Sequence, residues 1–250
     1  MAADTRPTLE PLVRKLEYRV RLDPDDRTAV LDLPFTLRKV ERGAYIVREG
    51  DDATKSCLLL SGFAVRSKVV GTGARQILSI HMKGELVDLQ NSLLEEADHS
   101  VEMLTNGTIA EIPREAIWRV AAERPAVARA MWTETLVDGS IFREWISNIG
   151  RRDARTRLAH VFCEFSLRLR LAGLGEPGNY EMPMTQEQLA DATGLTSVHV
   201  NRTIRGLETD GVIERPHPRA IHVTDWPKLA KMGDFQSRYL HLREGDAKVG

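Results

Sequence analysis

Residues 184–213 constrain the fold most, because their capping residues and apolar spacing define two helices and the turn between them. Thr185 precedes an apolar helical pattern and has Gln188 three positions later, which is typical of a capping box. Gly194 suits the left-handed conformation that ends many helices, and Thr196 can cap a second helix. Two helices joined by a tight glycine turn predict a helix-turn-helix.

The second helix, expected at about 197–209, has two distinct faces. Apolar side chains recur at i, i+4 and i+7 and predict a buried face formed by Val200, Ile204 and Leu207. The opposite face carries side chains that can bind base edges or phosphates. We therefore predict a DNA-binding set on this helix and beside it: Thr185, Gln186, Thr196, Ser197, Val198, His199, Asn201, Arg202, Arg205 and Arg219.

Three of these side chains match particular base edges in the major groove. Arg202 can donate to O6 and N7 of guanine, Asn201 can pair with adenine, and Val198 can contact the methyl group of thymine. Residues 212–215 and 220–223 predict two strands of a wing after the helix. A structural helical hairpin with a solvated polar face is the alternative, but the capping residues, the two-faced helix and the wing together favour DNA binding.

The N-terminal half of the chain shows a different pattern. Between residues 35 and 112, short apolar groups alternate with glycine-containing turns, which predicts an antiparallel β sandwich or barrel. A helical stripe at 9–20 precedes it, followed by a short helix that Asp23 caps and Pro24 begins. Another short helix is expected at 114–123.

A long helix is expected at 126–149, where apolar residues recur at three- to five-residue steps. A helix this apolar must bury a face, either on its own β block or on the same helix of a second subunit. We predict the dimer contacts at Met131, Phe142, Trp145 and Ile149. A further helix is expected at 151–171.

Composition limits the class of protein. The net charge is −1 over 250 residues, so contacts with nucleic acid must be local. Only two cysteines, Cys57 and Cys163, are present, which excludes a disulfide scaffold, a four-cysteine zinc site and an all-cysteine iron–sulfur cluster within one chain. The sequence has no apolar run long enough for a membrane span, no signal peptide and no familiar catalytic motif. We expect a cytoplasmic protein that is not an enzyme and has no metal, cofactor or membrane partner.

Residues 150–230 closely resemble the C-terminal DNA-binding domain of Crp/Fnr-type bacterial transcription regulators, through Leu189–Ala190, Gly194–Arg202, Leu207 and Gly211–Ile213. The β block resembles the cyclic-nucleotide-binding-like β-roll of that family, through Gly43–Asp51, Leu58–Gly62 and Gly84–Leu86. Together the two resemblances cover nearly the whole chain. They imply a homodimer, joined through the long helix, on a near-palindromic operator with half-sites about 34 Å apart.

The resemblance implies an α+β fold with an N-terminal antiparallel, jelly-roll-like β-roll, a long dimerisation helix and a C-terminal winged helix-turn-helix. The corresponding domains are a sensor domain at 1–124, the dimerisation helix at 125–150, the DNA-binding domain at 151–232 and a tail at 233–250. The partners implied are double-stranded DNA, a second copy of the chain, possible contact with RNA polymerase and a possible small-molecule effector.

Two departures from the family pattern bear on specificity. Many members have glutamate where this chain has Val198, and a small residue where it has His199, so the base preference is expected to differ. In nucleotide-binding members a Gly-Glu pair is followed by Arg-Ser, which binds the cyclic phosphate. Here the candidate effector pocket consists of Gly84, Glu85, Leu86, His99 and Ser100.

The effector itself is left open by the sequence. A mostly neutral histidine beside an acidic segment binds phosphate poorly, so cyclic AMP is the least favoured of three alternatives. The others are a different effector in a remodelled pocket and no small-molecule effector. Oxygen sensing of the Fnr type needs an N-terminal cysteine cluster, and no cysteine precedes Cys57. A ligand-binding sensor with vestigial DNA binding is the alternative function.

Overall fold

The computed structural model describes residues 8–246, and within them the chain forms eight α-helices and ten β-strands. The helices are α1 (Glu10–Arg19), α2 (Pro24–Leu31), α3 (Arg114–Glu123), α4 (Pro125–Arg151), α5 (Ala154–Leu171), α6 (Gln186–Thr193), α7 (Ser197–Thr209) and α8 (Trp226–Met232). The strands are β1 (Thr36–Val40), β2 (Tyr45–Val47), β3 (Lys55–Ser61), β4 (Ala64–Val69), β5 (Arg75–His81), β6 (Ser100–Met103), β7 (Gly107–Pro113), β8 (Asn179–Glu181), β9 (Ile213–Glu214) and β10 (Ala220–Val223). This mixture of helices and antiparallel sheets confirms the α+β class.

The described chain separates into two compact units. The first contains residues 8–67 and 80–138, and the second contains residues 68–79 and 139–246. Both ends of the predicted domain plan, residues 1–7 and 247–250, lie outside the described residues. Between residues 8 and 246, no helix combines the length and the apolar character that crossing a membrane requires.

Two antiparallel sheets form a β-roll, and most of their strands belong to the first unit. One sheet has the strand order β1-β7-β3 and the other β2-β6-β4-β5. Buried side chains from strands of both sheets form one apolar cluster, which includes Val40, Ile46, Leu59, Val101 and Ile109. The alternating burial along β6 shows the period of two that a strand with one buried face requires. The predicted antiparallel β block at 35–112 is confirmed.

Helices cover the three-stranded sheet of the first unit. Leu12 and Leu16 of α1, Val30 of α2 and Ile117 of α3 pack in one buried cluster with Ile112 of β7. Full burial of each such side chain contributes about 1.5–3 kcal/mol relative to exposure. The predicted start of α2 is confirmed by its capping box, in which the Asp26 amide donates to Asp23 Oδ1 at 2.8 Å.

The second unit is built on α5. Helices α7 and α8 pack against α5, α6 packs against α7, and a small antiparallel sheet has the order β8-β10-β9. Two of these elements, β8 and α8, are absent from the sequence-based expectation. Tyr180 on β8 explains its strand, because its hydroxyl donates to the Phe162 carbonyl at 2.9 Å and its ring packs on Phe165.

The two long helices are separated by a short break rather than by a loop. α4 continues to Arg151, two residues beyond the predicted end. α5 begins at Ala154 rather than at residue 151, because the Asp153 carboxylate accepts a hydrogen bond from the Thr156 amide at 2.9 Å and caps the helix.

Candidate nucleic-acid interface and β-roll interior

The helix-turn-helix has the ends that its sequence predicts. Thr185 Oγ1 accepts from the Gln188 amide at 3.2 Å, and Gln188 Oε1 accepts from the Thr185 amide at 2.9 Å, which completes the capping box. Gly194 has φ +65° and ends α6 in the left-handed conformation. Thr196 Oγ1 accepts from the His199 amide at 3.2 Å and begins α7. Side chains within the segment itself therefore define both helices and the turn.

The apolar face of α7 is buried as predicted. Val200, Ile204 and Leu207 are each at most 2% exposed. Arg157 of α5 fixes the preceding turn, since its Nη1 donates to the Thr193 carbonyl at the end of α6 at 2.8 Å. This packing sets the rotation of α7 about its axis and directs the opposite face to solvent.

The exposed face of α7 forms a concavity of about 440 Å³ that brings together six of the ten predicted DNA-binding residues: Gln186, Ser197, Val198, Asn201, Arg202 and Arg205. The set includes two guanidinium groups and no carboxylate. Asn201 Nδ2 donates to Gln186 Oε1 at 3.1 Å, which links the two helices across the concavity. The surface is therefore positively charged and carries several hydrogen-bond donors.

Three other members of the predicted set lie at helix ends. The hydroxyl oxygens of Thr185 and Thr196 accept capping hydrogen bonds, and these bonds leave each hydroxyl proton available to a phosphate. His199 is half-buried in the first turn of α7 and supplies its amide to the Thr196 cap. These three residues therefore define the ends of α6 and α7 and do not line the concavity.

Arg219, the last member of the set, lies in the turn between the two wing strands. Its carbonyl accepts from the Met182 amide at 2.9 Å. The neighbouring Arg215 forms an ion pair within the same domain, because its Nε donates to Glu208 Oε1 at 3.2 Å. The wing thus offers less free positive charge than its sequence indicates.

The predicted effector residues Gly84 and Glu85 belong to the first unit and follow β5 in the chain. Gly84 has φ +92°, and a Cβ there would lie 3.0 Å from the Pro11 carbonyl oxygen, so the position requires glycine. The Glu85 carboxylate already has two protein partners, His81 Nδ1 at 3.1 Å and Lys15 Nζ at 3.3 Å. Any ligand hydroxyl would have to compete with both of them.

The remaining predicted effector residues are also engaged by the protein. His99 is buried, with Nδ1 2.6 Å from Asp98 Oδ1, and burial lowers its pKa, which favours the neutral imidazole. Ser100 Oγ accepts from the Glu49 amide at 3.0 Å. Leu86 is half-buried and packs against the helical cluster of the first unit. None of the five predicted effector residues supplies the cation that binding of a cyclic phosphate requires.

A buried arginine, which the sequence reasoning missed, lies in the β-roll interior. Arg66 on β4 is 4% exposed, and its Nη2 donates to the Val87 carbonyl at 2.6 Å. The fully buried Asp88 follows Val87, and its Oδ1 accepts from Ser56 Oγ at 2.9 Å. The available signal was a charged residue inside a predicted strand, which is costly to bury without a partner.

The apolar residues that α4 exposes are not the ones predicted to form the dimer contacts. Met131 and Trp145 are only 5% and 4% exposed, because both belong to the core of their own chain. Phe142 and Ile149 are half-buried. The apolar side chains that α4 leaves most exposed are Trp132, Leu136 and Ile146, at 70%, 59% and 70%. Met131 and Trp145 are therefore not available to a second subunit as predicted. An apolar pattern with steps of three to five residues covers more than one face of a helix, so it did not show which face stays exposed.

Comparison with known proteins agrees with both halves of the structure. Residues 37–124 match the family model of the cyclic nucleotide-binding domain, and residues 156–232 match that of the Crp-like helix-turn-helix domain. A probable transcriptional activator from Rhizobium leguminosarum bv. viciae is 28% identical over 78% of this chain and 80% of its own length. The transcriptional activator FnrL from Cereibacter sphaeroides is 25% identical over 87% of this chain and 88% of its own length.

A solved structure supports the fold. The structure of FixK2 from Bradyrhizobium japonicum superposes with a TM-score of 0.72 at 22% identity, covering 80% of this chain and 98% of that one. At this identity the likeness concerns the fold alone. With the two domain matches, the relatives matched over most of their length and the α6–α7 geometry taken together, the chain belongs to the Crp/Fnr family of transcription regulators.

Proposed function

We propose that the protein binds double-stranded DNA as a homodimer, with each α7 contacting one half-site of a near-palindromic operator, and thereby regulates transcription. The observation that carries the proposal is the exposed face of α7, which concentrates Arg202 and Arg205 beside polar side chains without a carboxylate. Since the whole chain has a net charge of −1, attraction to DNA depends on this local surface.

The roles of the two arginines follow from their positions on the helix. Arg202 lies within the concavity, where a guanidinium can donate to O6 and N7 of guanine. Arg205 lies almost one turn further from the helix N-terminus, and it is assigned to a backbone phosphate. The first contact confers sequence preference, and the second contributes affinity that does not depend on sequence.

The exposed apolar side chains of α4 support the dimer. Trp132, Leu136 and Ile146 lie four and ten positions apart along one helix, which suits contact with a second helix. Three large apolar side chains, each more than half exposed, are costly in water and are covered when a second copy packs on them. A symmetric pair presents two α7 helices to successive turns of one DNA face, about 34 Å apart.

Cyclic AMP is not required in this proposal. The Glu85 carboxylate already has protein partners and His99 favours the neutral state, so these two residues are poorly suited to bind a cyclic phosphate. An effector of different chemistry, or control by abundance, would regulate the protein instead. Contact with RNA polymerase belongs to the same proposal, since the activators named among its relatives promote transcription.

Selection from a random duplex pool with the full-length protein, without added nucleotide, tests the proposed function. We expect enrichment of a near-palindromic sequence and a gel-shift complex that contains two protein chains. Adding cyclic AMP should leave the affinity unchanged. Failure to enrich any duplex would overturn the proposal and favour a sensor whose DNA-binding half is vestigial.

A further inference from the structure

We propose that Val198 makes α7 selective for the 5-methyl group of a pyrimidine, a thymine in ordinary duplex DNA, at one or two base steps from the guanine that Arg202 contacts. This inference rests on the proposed function and specifies which operator the protein selects.

The exposure of Val198 is the first observation. Its side chain is 78% exposed in the first turn of α7, whereas the other valine of the helix, Val200, is fully buried. A β-branched residue loses side-chain entropy in a helix, and an exposed one makes no packing contacts that would offset this cost. The first turn of a recognition helix is the part that contacts base edges. An apolar group at this place is therefore positioned to be covered by DNA.

The neighbours of Val198 define what it can contact. Arg202 lies four positions later, on the same face and one helical turn away, which is a rise of about 5.4–6 Å. Since stacked base pairs rise about 3.4 Å, the two side chains meet bases that are one or two steps apart. Asn201 Nδ2 donates to Gln186 Oε1 at 3.1 Å, and this hydrogen bond fixes the polar side chains next to Val198 before DNA binds.

The chemistry of the base edges determines which base Val198 favours. The 5-methyl group of thymine is the apolar feature of the major-groove edges, whereas cytosine presents an amino donor. A valine cannot accept a hydrogen bond from that donor, so placing it against cytosine leaves the amino group without its water partner. Burying one methyl group corresponds to about a fourfold change in Kd. Val198 should therefore favour thymine over cytosine and should detect the methyl group itself.

The experiment uses the operator selected by the full-length protein. Each thymine is replaced in turn by uracil, cytosine or 5-methylcytosine, with the complementary base adjusted, and the Kd is measured by fluorescence anisotropy. We expect one thymine per half-site, one or two steps from the essential guanine, at which uracil raises the Kd about fourfold. At this position 5-methylcytosine should bind more tightly than cytosine, which separates recognition of the methyl group from recognition of thymine as a base.

Variants assign the effect to the side chain. In Val198→Ala the difference in Kd between the thymine and uracil operators should disappear. Val70→Ala, which shortens a valine that is 54% exposed in the first turn after β4, is the matched control and should retain the fourfold difference.

Two outcomes would overturn the inference while leaving the proposed function intact. One is tight binding to a selected operator with no thymine that responds to uracil. The other is a response to uracil that survives in Val198→Ala. A pool from which no duplex is enriched would instead overturn the proposed function, so the two failures are distinguishable.

Discussion

Trp145 on α4 donates its indole N–H to the carboxylate of Glu164 on α5, at 3.1 and 3.0 Å from the two oxygens. Glu164 is 2% exposed, so this hydrogen bond lies in a region of low dielectric constant. Arg168 Nη1 donates to Glu164 Oε1 at 3.2 Å, and the Tyr239 hydroxyl donates to Oε2 at 2.7 Å. One buried carboxylate thus connects two long helices with the segment after α8.

The segment after α8 packs against α5 as part of the second unit. His160 Nδ1 donates to the Gly233 carbonyl at 3.1 Å, and its Nε2 lies 3.0 Å from the Tyr239 hydroxyl. His241 Nε2 lies 3.1 Å from Ser140 Oγ on α4. Residues 233–241 therefore form a strap that fixes the last half of α4 against α5.

Replacing Glu164 tests the importance of this carboxylate. Glu164→Ala removes both the acceptor for Trp145 and the buried carboxylate that pairs with the Arg168 guanidinium, so we expect a loss of about 3–5 kcal/mol in the stability of α5. Native-state hydrogen exchange of the α5 amides measures that loss. Glu176→Ala, at an exposed loop position, is the control and should change protection by less than about 0.5 kcal/mol. Unchanged protection in Glu164→Ala would show that the network does not stabilise the helix pair.

Two glycine substitutions test the strap. A Cβ at Gly233 would lie 2.7 Å from the His160 amide nitrogen, a backbone atom that cannot move aside, so Gly233→Ala should displace the strap and lower the melting temperature. In Gly206→Ala a Cβ meets nothing within 4 Å inside α7, and the melting temperature should rise, in line with about 1 kcal/mol of helix propensity. Equal effects of the two substitutions in scanning calorimetry would contradict the close contact at Gly233.

Asp88 predicts a pH dependence of the first unit. Burial raises its pKa from 3.8 to about 6, although hydrogen bonds from Cys57 and Ser56 oppose the rise. The folded state therefore favours the protonated carboxyl, and the stability that protonation supplies is fully present below about pH 4 and is lost as the pH rises through about 6. The full difference corresponds to about 3 kcal/mol.

Urea unfolding between pH 4 and 7 measures this effect. Wild type should lose stability relative to Asp88→Asn as the pH rises, because the amide does not ionise. His81 and His99, whose lowered pKa values act in the opposite sense, are common to both proteins. Asp25→Asn, which replaces a carboxyl group whose side chain is 80% exposed, is the control and should show the wild-type pH dependence. An Asp88→Asn variant with the wild-type pH dependence would assign the effect to another group.

The exposed face of α4 predicts the oligomeric state. Trp132→Glu places a charge on the apolar face and should shift the protein towards monomer in sedimentation velocity experiments. Leu93→Glu, at a loop position that is 78% exposed, should leave the dimer intact. A dimer that withstands Trp132→Glu would place the interface elsewhere.

Local chemical signals in the sequence were sufficient to predict some elements. The N-cap at Asp23, the capping box at Thr185 and the left-handed Gly194 each mark a helix end through local residues, and all three predictions are confirmed. The α7 faces were also predictable, because a clear i, i+4, i+7 pattern separates Val200 from Val198.

Other features depend on tertiary contacts that no local pattern encodes. β8 has only three residues, and its pairing with β10 depends on the burial of Tyr180 against α5. The sequence did not separate the exposed face of α4 from its buried face. Adjacent residues such as Met131 and Trp132 differ by about 100° around the helix, and only the packing of the folded chain shows which of them is covered. Arg66 was missed because its guanidinium donates to the backbone carbonyl of Val87, which lies in the connection between β5 and β6 and is distant in sequence.

The salt dependence of operator binding tests the central claim most directly. The measurement compares wild type with Arg202→Ala, Arg205→Ala and the control Arg14→Ala, whose side chain is 77% exposed on α1. We predict that Arg202→Ala costs about 1–3 kcal/mol and relaxes preference at one base pair. Arg205→Ala should weaken all duplexes equally and reduce the slope of log K against log salt by about one, whereas Arg14→Ala should match the wild type. Operator affinity and specificity that stay unchanged in Arg202→Ala would contradict the assignment of α7 as the DNA-contacting helix.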